Sequence, residues 1–130
     1  MVSNFGVAIY TSEDLLVAFE HYKRAFGATL LFTAEGPQGE IIHLEMDTLG
    51  NKLALAPASP EQLRAGNVTV LCLQFPSKQA LRRAYRILEE EGGQGEGLSP
   101  HPWNPLEGFV TDKYGVKWRV GIYNGTLDYI

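Results

Sequence analysis

The sequence predicts an α+β fold built from two βαβββ modules, and three observations support this prediction. The same order of elements occurs twice along the chain, at an offset of about 60–65 residues. Each half contains one substantial helix with a single apolar stripe, which is enough to cover one face of a small sheet. The strands alternate apolar and polar residues, as half-buried strands do. We therefore expect one domain over residues 1–130, with module 1 at about 4–57, a linker helix at 59–66 and module 2 at about 67–124.

The composition is typical of a globular domain and excludes several classes of function. The 130 residues are 45% hydrophobic and 20% charged, and the net charge is −4. An acidic chain without a basic stripe is a poor partner for nucleic acid. The longest apolar run has the length of a strand, far below the roughly 20 residues that span a bilayer, and the first residues lack the pattern of a signal peptide, so we expect none. We expect a cytoplasmic protein that binds neither nucleic acid nor membranes.

The first module is predicted from one helix and four strands. The helix "LLVAFEHYKRAF" carries Leu15, Phe19, Tyr22 and Phe26 at i, i+4, i+7 and i+11, and Gly27 is placed to end it. The segment "FGVAIY" precedes it as a strand. Three more strands follow, separated by glycine-containing turns: "ATLLFTAE", "EIIHLEMD" and "KLALA".

The second module repeats this order. The strand "NVTVLCLQF" contains the single cysteine, Cys72, which we expect to be a buried, unreactive side chain. The helix "KQALRRAYRILEEE" follows, with Leu81, Leu88 and either Ala84 or Tyr85 on its apolar stripe. The segment "GGQGEG" comes after a helix rather than before one. It therefore predicts helix termination and a flexible connection, not a phosphate-binding loop.

Alternation places a group of polar side chains on the sheet faces opposite the helices. In "EIIHLEMD" we expect Ile42, Leu44 and Met46 on the apolar face. The opposite faces then carry His43, Glu45, Lys52, Lys117 and Arg119.

That polar face has two interpretations. It is either a solvated sheet surface or the lining of a cleft. The small residues Ala54, Ala56 and Gly121 favour the cleft because they leave space above the sheet. Trp103, in "HPWNPLEG", lies in a proline-containing loop between strands and is a candidate contact for a ligand.

Four segments carry a resemblance to a known family. They are "EHYKRAFG", "HLEM", "GNKLAL" and "PWNPLEGFVTDKYGVKWRV", which occur in order along nearly the whole chain. With them the chain resembles the vicinal-oxygen-chelate superfamily of glyoxalases, bleomycin-resistance proteins and extradiol dioxygenases, and within it the PhnB-like group. The resemblance implies curved sheets in paired modules, a U-shaped cleft and a homodimer. In metal-dependent members it implies ligands on the first and last strands of each module.

The chain departs from the ligand pattern of those metal-dependent members. The glutamate of the last strand falls on Arg119, and a guanidinium cannot bind a metal ion. His43 and Glu45 remain as possible ligands, with His101 or Gln74 as distant candidates for a third. Two ligands make a poor catalytic site, so we expect no metal and no other cofactor.

Three functions therefore stay open. The first is metal-independent binding of a small anion in the cleft. The second is a metal-dependent lyase, isomerase or dioxygenase in which His43 and Glu45 are catalytic, so the sequence alone does not decide whether the protein is an enzyme. The third is a dimer with a vestigial cleft. Arg119 binds the anion, pairs with Glu45, or does both, since a partner carboxylate can orient an arginine for binding. The expected ligand contacts are Tyr10, His43, Glu45, Trp103, Lys117 and Arg119.

Overall fold

The computed structural model describes residues 6–60, 63–64 and 69–123, and these form two units with the same topology. The chain divides at residues 65 and 66. Unit 1 holds β1 (Val7–Thr11), α1 (Leu15–Phe26), β2 (Thr29–Glu35), β3 (Ile41–Thr48) and β4 (Asn51–Pro57). Unit 2 holds β5 (Leu71–Phe75), α2 (Lys78–Glu90), β6 (Gln94–His101), β7 (Asn104–Thr111) and β8 (Lys117–Ile122).

Each unit is a four-stranded mixed sheet with one helix, as the repeated βαβββ order predicted. The strand orders are β1-β4-β3-β2 and β5-β8-β7-β6. The first and last strands of each unit pair in parallel, and the other pairs are antiparallel. The predicted linker helix at 59–66 falls partly on 61–62 and 65–66, which lie outside the described residues. The outer ends of the predicted modules do so too.

The helices begin and end where their sequences allow. The carboxylate of Asp14 accepts hydrogen bonds from the amides of Leu16 (2.9 Å) and Val17 (3.3 Å), which satisfies two free donors at the start of α1. Gly27 ends that helix in the left-handed conformation, as predicted. Ser77 begins α2 by accepting from the amide of Ala80.

One face of each sheet packs against its helix and forms the core of the unit. The predicted stripe of α1, with Leu15, Phe19, Tyr22 and Phe26, is buried, and α1 packs on β3 and β4. The predicted stripe of α2 is buried as well, and α2 packs on all four strands of its sheet. No helix within the described parts of the chain is long and apolar enough to cross a membrane.

Three local predictions are wrong. Gln94–Gly97 is not a flexible connection but the start of β6, because its backbone pairs with β7. Ile42, the second residue of β3, is 44% exposed, so the face that it shares with Leu44 and Met46 is not covered along its whole length. Cys72 is exposed, because Leu73 and Phe75 take the buried side of β5 and alternation sends Cys72 to the other face.

The motif Asp-x-x-Gly-x-x-Trp fixes the end of unit 2. The Asp112 carboxylate accepts from the amides of Tyr114 (2.9 Å) and Val116 (3.0 Å), which closes the turn between β7 and β8. Its second oxygen accepts the indole N–H of buried Trp118 at 2.8 Å. This motif is therefore structural. It anchors β8 and so determines which side chains of β8 face away from the helix.

Candidate functional site

The face of each sheet opposite its helix, called the open face below, carries the polar residues singled out in the sequence. In unit 1, three of them form a connected cluster. The Nε2 atom of His43 lies 2.8 Å from one oxygen of Glu45, and the Nζ atom of Lys52 lies 2.9 Å from the other. Both carboxylate oxygens of Glu45 therefore have partners.

This arrangement fixes the direction of the hydrogen bond. A carboxylate only accepts, so Nε2 of His43 donates to Glu45 and Nδ1 takes no part in this bond. The hydrogen bond from His43, helped by Lys52, holds the pKa of Glu45 below its ordinary value of 4.5. A histidine oriented by a carboxylate has the geometry of a general base.

Aromatic and small residues surround that cluster. A bulge after Leu30 brings Phe32 of β2 opposite Glu45, and the ring of Phe32 lies 6.3 Å from that of His43. Tyr10 of β1 is 42% exposed and pairs in register with Ala56. The open face of unit 1 therefore offers a histidine base beside exposed aromatic rings.

The open face of unit 2 is organised around a residue that the sequence analysis missed, Glu107. Its side chain is only 9% exposed. One oxygen accepts the indole N–H of Trp103 at 2.9 Å, and the other lies 3.6 Å from Nε of Arg119. The alternation of "LEGFV" was the available signal, because Leu106 and Gly108 lie on the helix side and leave Glu107 facing away from it.

Trp103 lies in the turn between β6 and β7 and is held on two sides. Its indole bonds to Glu107, and the ring of His101 stacks on it at 5.0 Å between centroids, with an angle of 15° between the planes. The side chain is nevertheless 53% exposed. A large, flat apolar surface is therefore presented in a fixed orientation.

Arg119 lies at the centre of this face. Its neighbours in register are Cys72 on β5 and Phe109 on β7, and its side chain is 45% exposed. Lys117 is two residues earlier on the same strand and so faces the same way. The face combines permanent positive charge with exposed aromatic surface.

Glu45 and Arg119 each have partners within their own unit. Glu45 pairs with His43 and Lys52 in unit 1, and Arg119 pairs with Glu107 in unit 2. Each unit thus holds a cluster of candidate residues. Unit 1 brings His43 and Glu45 together, and unit 2 brings Trp103 and Arg119 together through Glu107.

The residues at the implied metal positions do not fit a divalent ion. On the first and last strands, the open face carries Ala8, Tyr10, Lys52, Ala54, Ala56, Cys72, Gln74, Lys117, Arg119 and Gly121. This set contains three cations and four residues without a polar side-chain atom, whereas divalent metals need several carboxylate, imidazole or thiolate ligands. Within neither unit do three histidine, cysteine or acidic side chains of the described residues come together as a metal site.

The family model of the Glyoxalase/Bleomycin resistance protein/Dioxygenase superfamily matches residues 5–120, so the chain belongs to this superfamily. This confirms the resemblance found in the sequence. No curated protein matches the sequence significantly.

Solved structures share the fold at low sequence identity. A PhnB protein from Bacillus cereus is 14% identical, with a TM-score of 0.74 over 93% of this chain and 100% of that one. Protein PA1353 from Pseudomonas aeruginosa is 21% identical, with a TM-score of 0.76 over 93% and 98%. A variant of the fosfomycin resistance protein FosX from Listeria monocytogenes, in complex with Mn(II) and a dihydroxypropylphosphonic acid, is 11% identical, with a TM-score of 0.73 over 99% and 98%.

Proposed function

We propose that this protein binds a small anion on the open face of unit 2, with Arg119 as the anchor and without a metal ion. One observation carries the proposal. Glu107, which is buried, engages Arg119 at Nε, while the side chain remains 45% exposed. Of the residues that the structure describes, only Glu107 forms an ion pair with Arg119, through Nε; we expect the terminal NH₂ groups to bind the ligand.

The chemistry of arginine favours an anionic ligand. A guanidinium is permanently charged and grips a carboxylate, phosphate or phosphonate through parallel N–H bonds. Lys117 adds a second positive charge to the same face. The Listeria protein binds Mn(II) and a phosphonic acid in the same fold. In the present chain, we expect Arg119 to supply the positive charge in place of the metal.

The test is a titration of the wild-type protein and three variants with methylphosphonate and benzoate by calorimetry, in the presence of EDTA. Arg119→Ala should weaken binding at least about tenfold, and Arg119→Lys should restore only part of it, because lysine lacks the bidentate geometry. Arg82→Ala, on helix α2, removes the same charge from unit 2 and serves as the matched control. Equal affinity in wild type and Arg119→Ala would remove Arg119 from the site.

A second function is supported by the cluster in unit 1. The geometry of His43 and Glu45 suits proton abstraction from a carbon acid, which is a step in isomerase and lyase reactions. Deuterium exchange from solvent into pyruvate or acetylphosphonate, followed by NMR, tests this function. We expect exchange in the wild type and none in His43→Ala. Exchange that survives in His43→Ala excludes His43 as the base.

Homodimerisation and a cytoplasmic location remain proposals that rest on the family and the composition. Light scattering after size exclusion measures the mass of the assembly directly, and twice the mass of the 14.4 kDa chain is the expected result. A dimer that binds no anion and exchanges no protons would favour the third interpretation, a vestigial cleft.

A further inference from the structure

We infer that Glu107 is a positioning residue which fixes Arg119 and Trp103 side by side, and that the ligand is a planar aromatic acid. This inference rests on the proposed anion-binding function of Arg119. It goes further in two ways: it assigns a role to a residue that makes no contact with the ligand, and it names the chemical class of the ligand.

The geometry of Glu107 carries the first step. One oxygen accepts the Trp103 indole N–H at 2.9 Å, and the other lies 3.6 Å from Arg119 Nε. The indole and the guanidinium are therefore each held by one oxygen of the same carboxylate group. Trp103 is in the turn between β6 and β7 and Arg119 is on β8, so Glu107 of β7 connects side chains from two different elements.

Burial makes this arrangement rigid. The Glu107 side chain is only 9% exposed, and a buried carboxylate without partners is strongly unfavourable. The two partners therefore stabilise the buried carboxylate, and the carboxylate in turn holds both of them. Their own side chains are exposed, 53% for the Trp103 residue and 45% for the Arg119 side chain, so the fixed groups still present free surface.

The two exposed groups define the ligand. A guanidinium binds an anionic group, and an indole face binds a flat ring by stacking. His101 already covers one side of Trp103, at 5.0 Å between centroids, so a ligand ring would extend an existing stack. Phe109, 41% exposed and beside Arg119 in register, adds apolar surface. A ring carrying a carboxylate or phosphonate satisfies both groups together.

The probes separate charge from planarity. They are 2-naphthoate, which is planar and anionic, cyclohexanecarboxylate, which is anionic but not planar, and 2-naphthamide, which is planar but neutral. Wild-type protein should bind 2-naphthoate at least about tenfold more tightly than either of the others, since stacking and charge each contribute about one order of magnitude.

The variants separate positioning from general structure. Glu107→Gln keeps the shape of the side chain but removes the charge that holds Arg119. It should abolish the preference for 2-naphthoate over cyclohexanecarboxylate and shift the indole N–H resonance of Trp103, while the resonance of buried Trp118 stays in place. Glu96→Gln, an exposed glutamate of the same unit, is the matched control and should change neither property. A purely structural role for Glu107 would weaken all three probes equally.

If Glu107→Gln does not fold, Trp103→Leu replaces it, because its side chain is exposed and its loss should be tolerated. This variant should lose the preference for 2-naphthoate but still bind cyclohexanecarboxylate.

The outcomes distinguish the two proposals. Binding of both acids unchanged in Arg119→Ala overturns the proposed function. Two other outcomes overturn only this inference. In the first, binding depends on Arg119 but shows no preference for the planar acid. In the second, Glu107→Gln, or Trp103→Leu in its place, keeps that preference. Failure of all three probes to bind at about 10 mM overturns the ligand class.

Discussion

The two units share one topology, and their helix-facing positions are alike in character. Val7 pairs in parallel with Leu53, and Leu71 pairs in parallel with Trp118, so Leu53 and Trp118 occupy corresponding positions. Both side chains are buried on the helix side, at 5% and 1% exposure. An apolar side chain is required there in both copies, because the helix must pack on it.

The open faces differ at almost every corresponding position. Ala54 of unit 1 corresponds to Arg119 of unit 2, and His43 corresponds to Glu107. One unit therefore carries a histidine paired with a carboxylate, and the other carries a carboxylate paired with an arginine. The comparison indicates that packing against the helix constrains the side chains of only one face of each sheet. The side chains of the other face can therefore differ between the units.

The largest expected effect is at the helix-facing positions, which are alike in the two units. Trp118→Ala should lower the free energy of unfolding by about 3–5 kcal/mol, because it removes a large buried side chain that cannot be replaced by water. Urea denaturation followed by far-ultraviolet circular dichroism measures it. A loss below about 1 kcal/mol would mean that Trp118 does not lie in the core as described.

The next effect compares the two hairpins that precede the last strands. Asp112→Ala removes the turn bonds and leaves the buried Trp118 indole without its acceptor, so we expect a loss of about 2–4 kcal/mol. Asp47→Ala, an aspartate change beside the corresponding turn of unit 1, breaks a single exposed bond of 3.4 Å to the amide of Gly50 and should cost about 0.5 kcal/mol or less. Equal losses in urea denaturation would contradict the structural role of the aspartate motif in unit 2.

The smallest expected effect is the pH dependence of stability that comes from Glu45 of unit 1. The pKa of Glu45 is lower in the folded protein than its ordinary value of 4.5, so its pairing stabilises the fold above that pH. This contribution is lost as the pH falls through the lowered pKa. Thermal unfolding of wild type and Glu45→Gln should therefore differ most near neutral pH and converge in acid. A difference that stays constant from pH 7 to about pH 3 would show that Glu45 has no depressed pKa.

Much of the fold could be predicted from the sequence because it depends on local periodicity. The stripes of α1 and α2 and the alternation around Leu44 and Trp118 each depend on residues close together in the chain. The glycine-rich stretch at 94–97 was misread because tertiary pairing with β7 overrides its poor strand propensity. Cys72 was placed inside by its apolar neighbours, although alternation with Leu73 and Phe75 places it outside.

The contacts between the site residues were harder to predict than the residues themselves. Arg119 and Trp103 were identified from their residue types and positions, yet Glu107, which connects them, was missed. Cross-strand contacts depend on register, and register is determined by turns whose geometry one sequence does not specify. For the same reason the contact between Lys52 and Glu45 within unit 1 was not predicted.

The central claim is that Arg119 supplies the positive charge that a metal ion supplies in metal-dependent relatives, and metal content tests it most directly. The protein is purified without chelators or a histidine tag, incubated separately with zinc, nickel, manganese and ferrous ions, dialysed, and analysed by mass spectrometry of the elements. We expect about 0.1 ion per chain or less for every metal, because the open-face residues lack a ligand set. About one tightly bound ion per chain would contradict the account and assign His43 and Glu45 to a metal site.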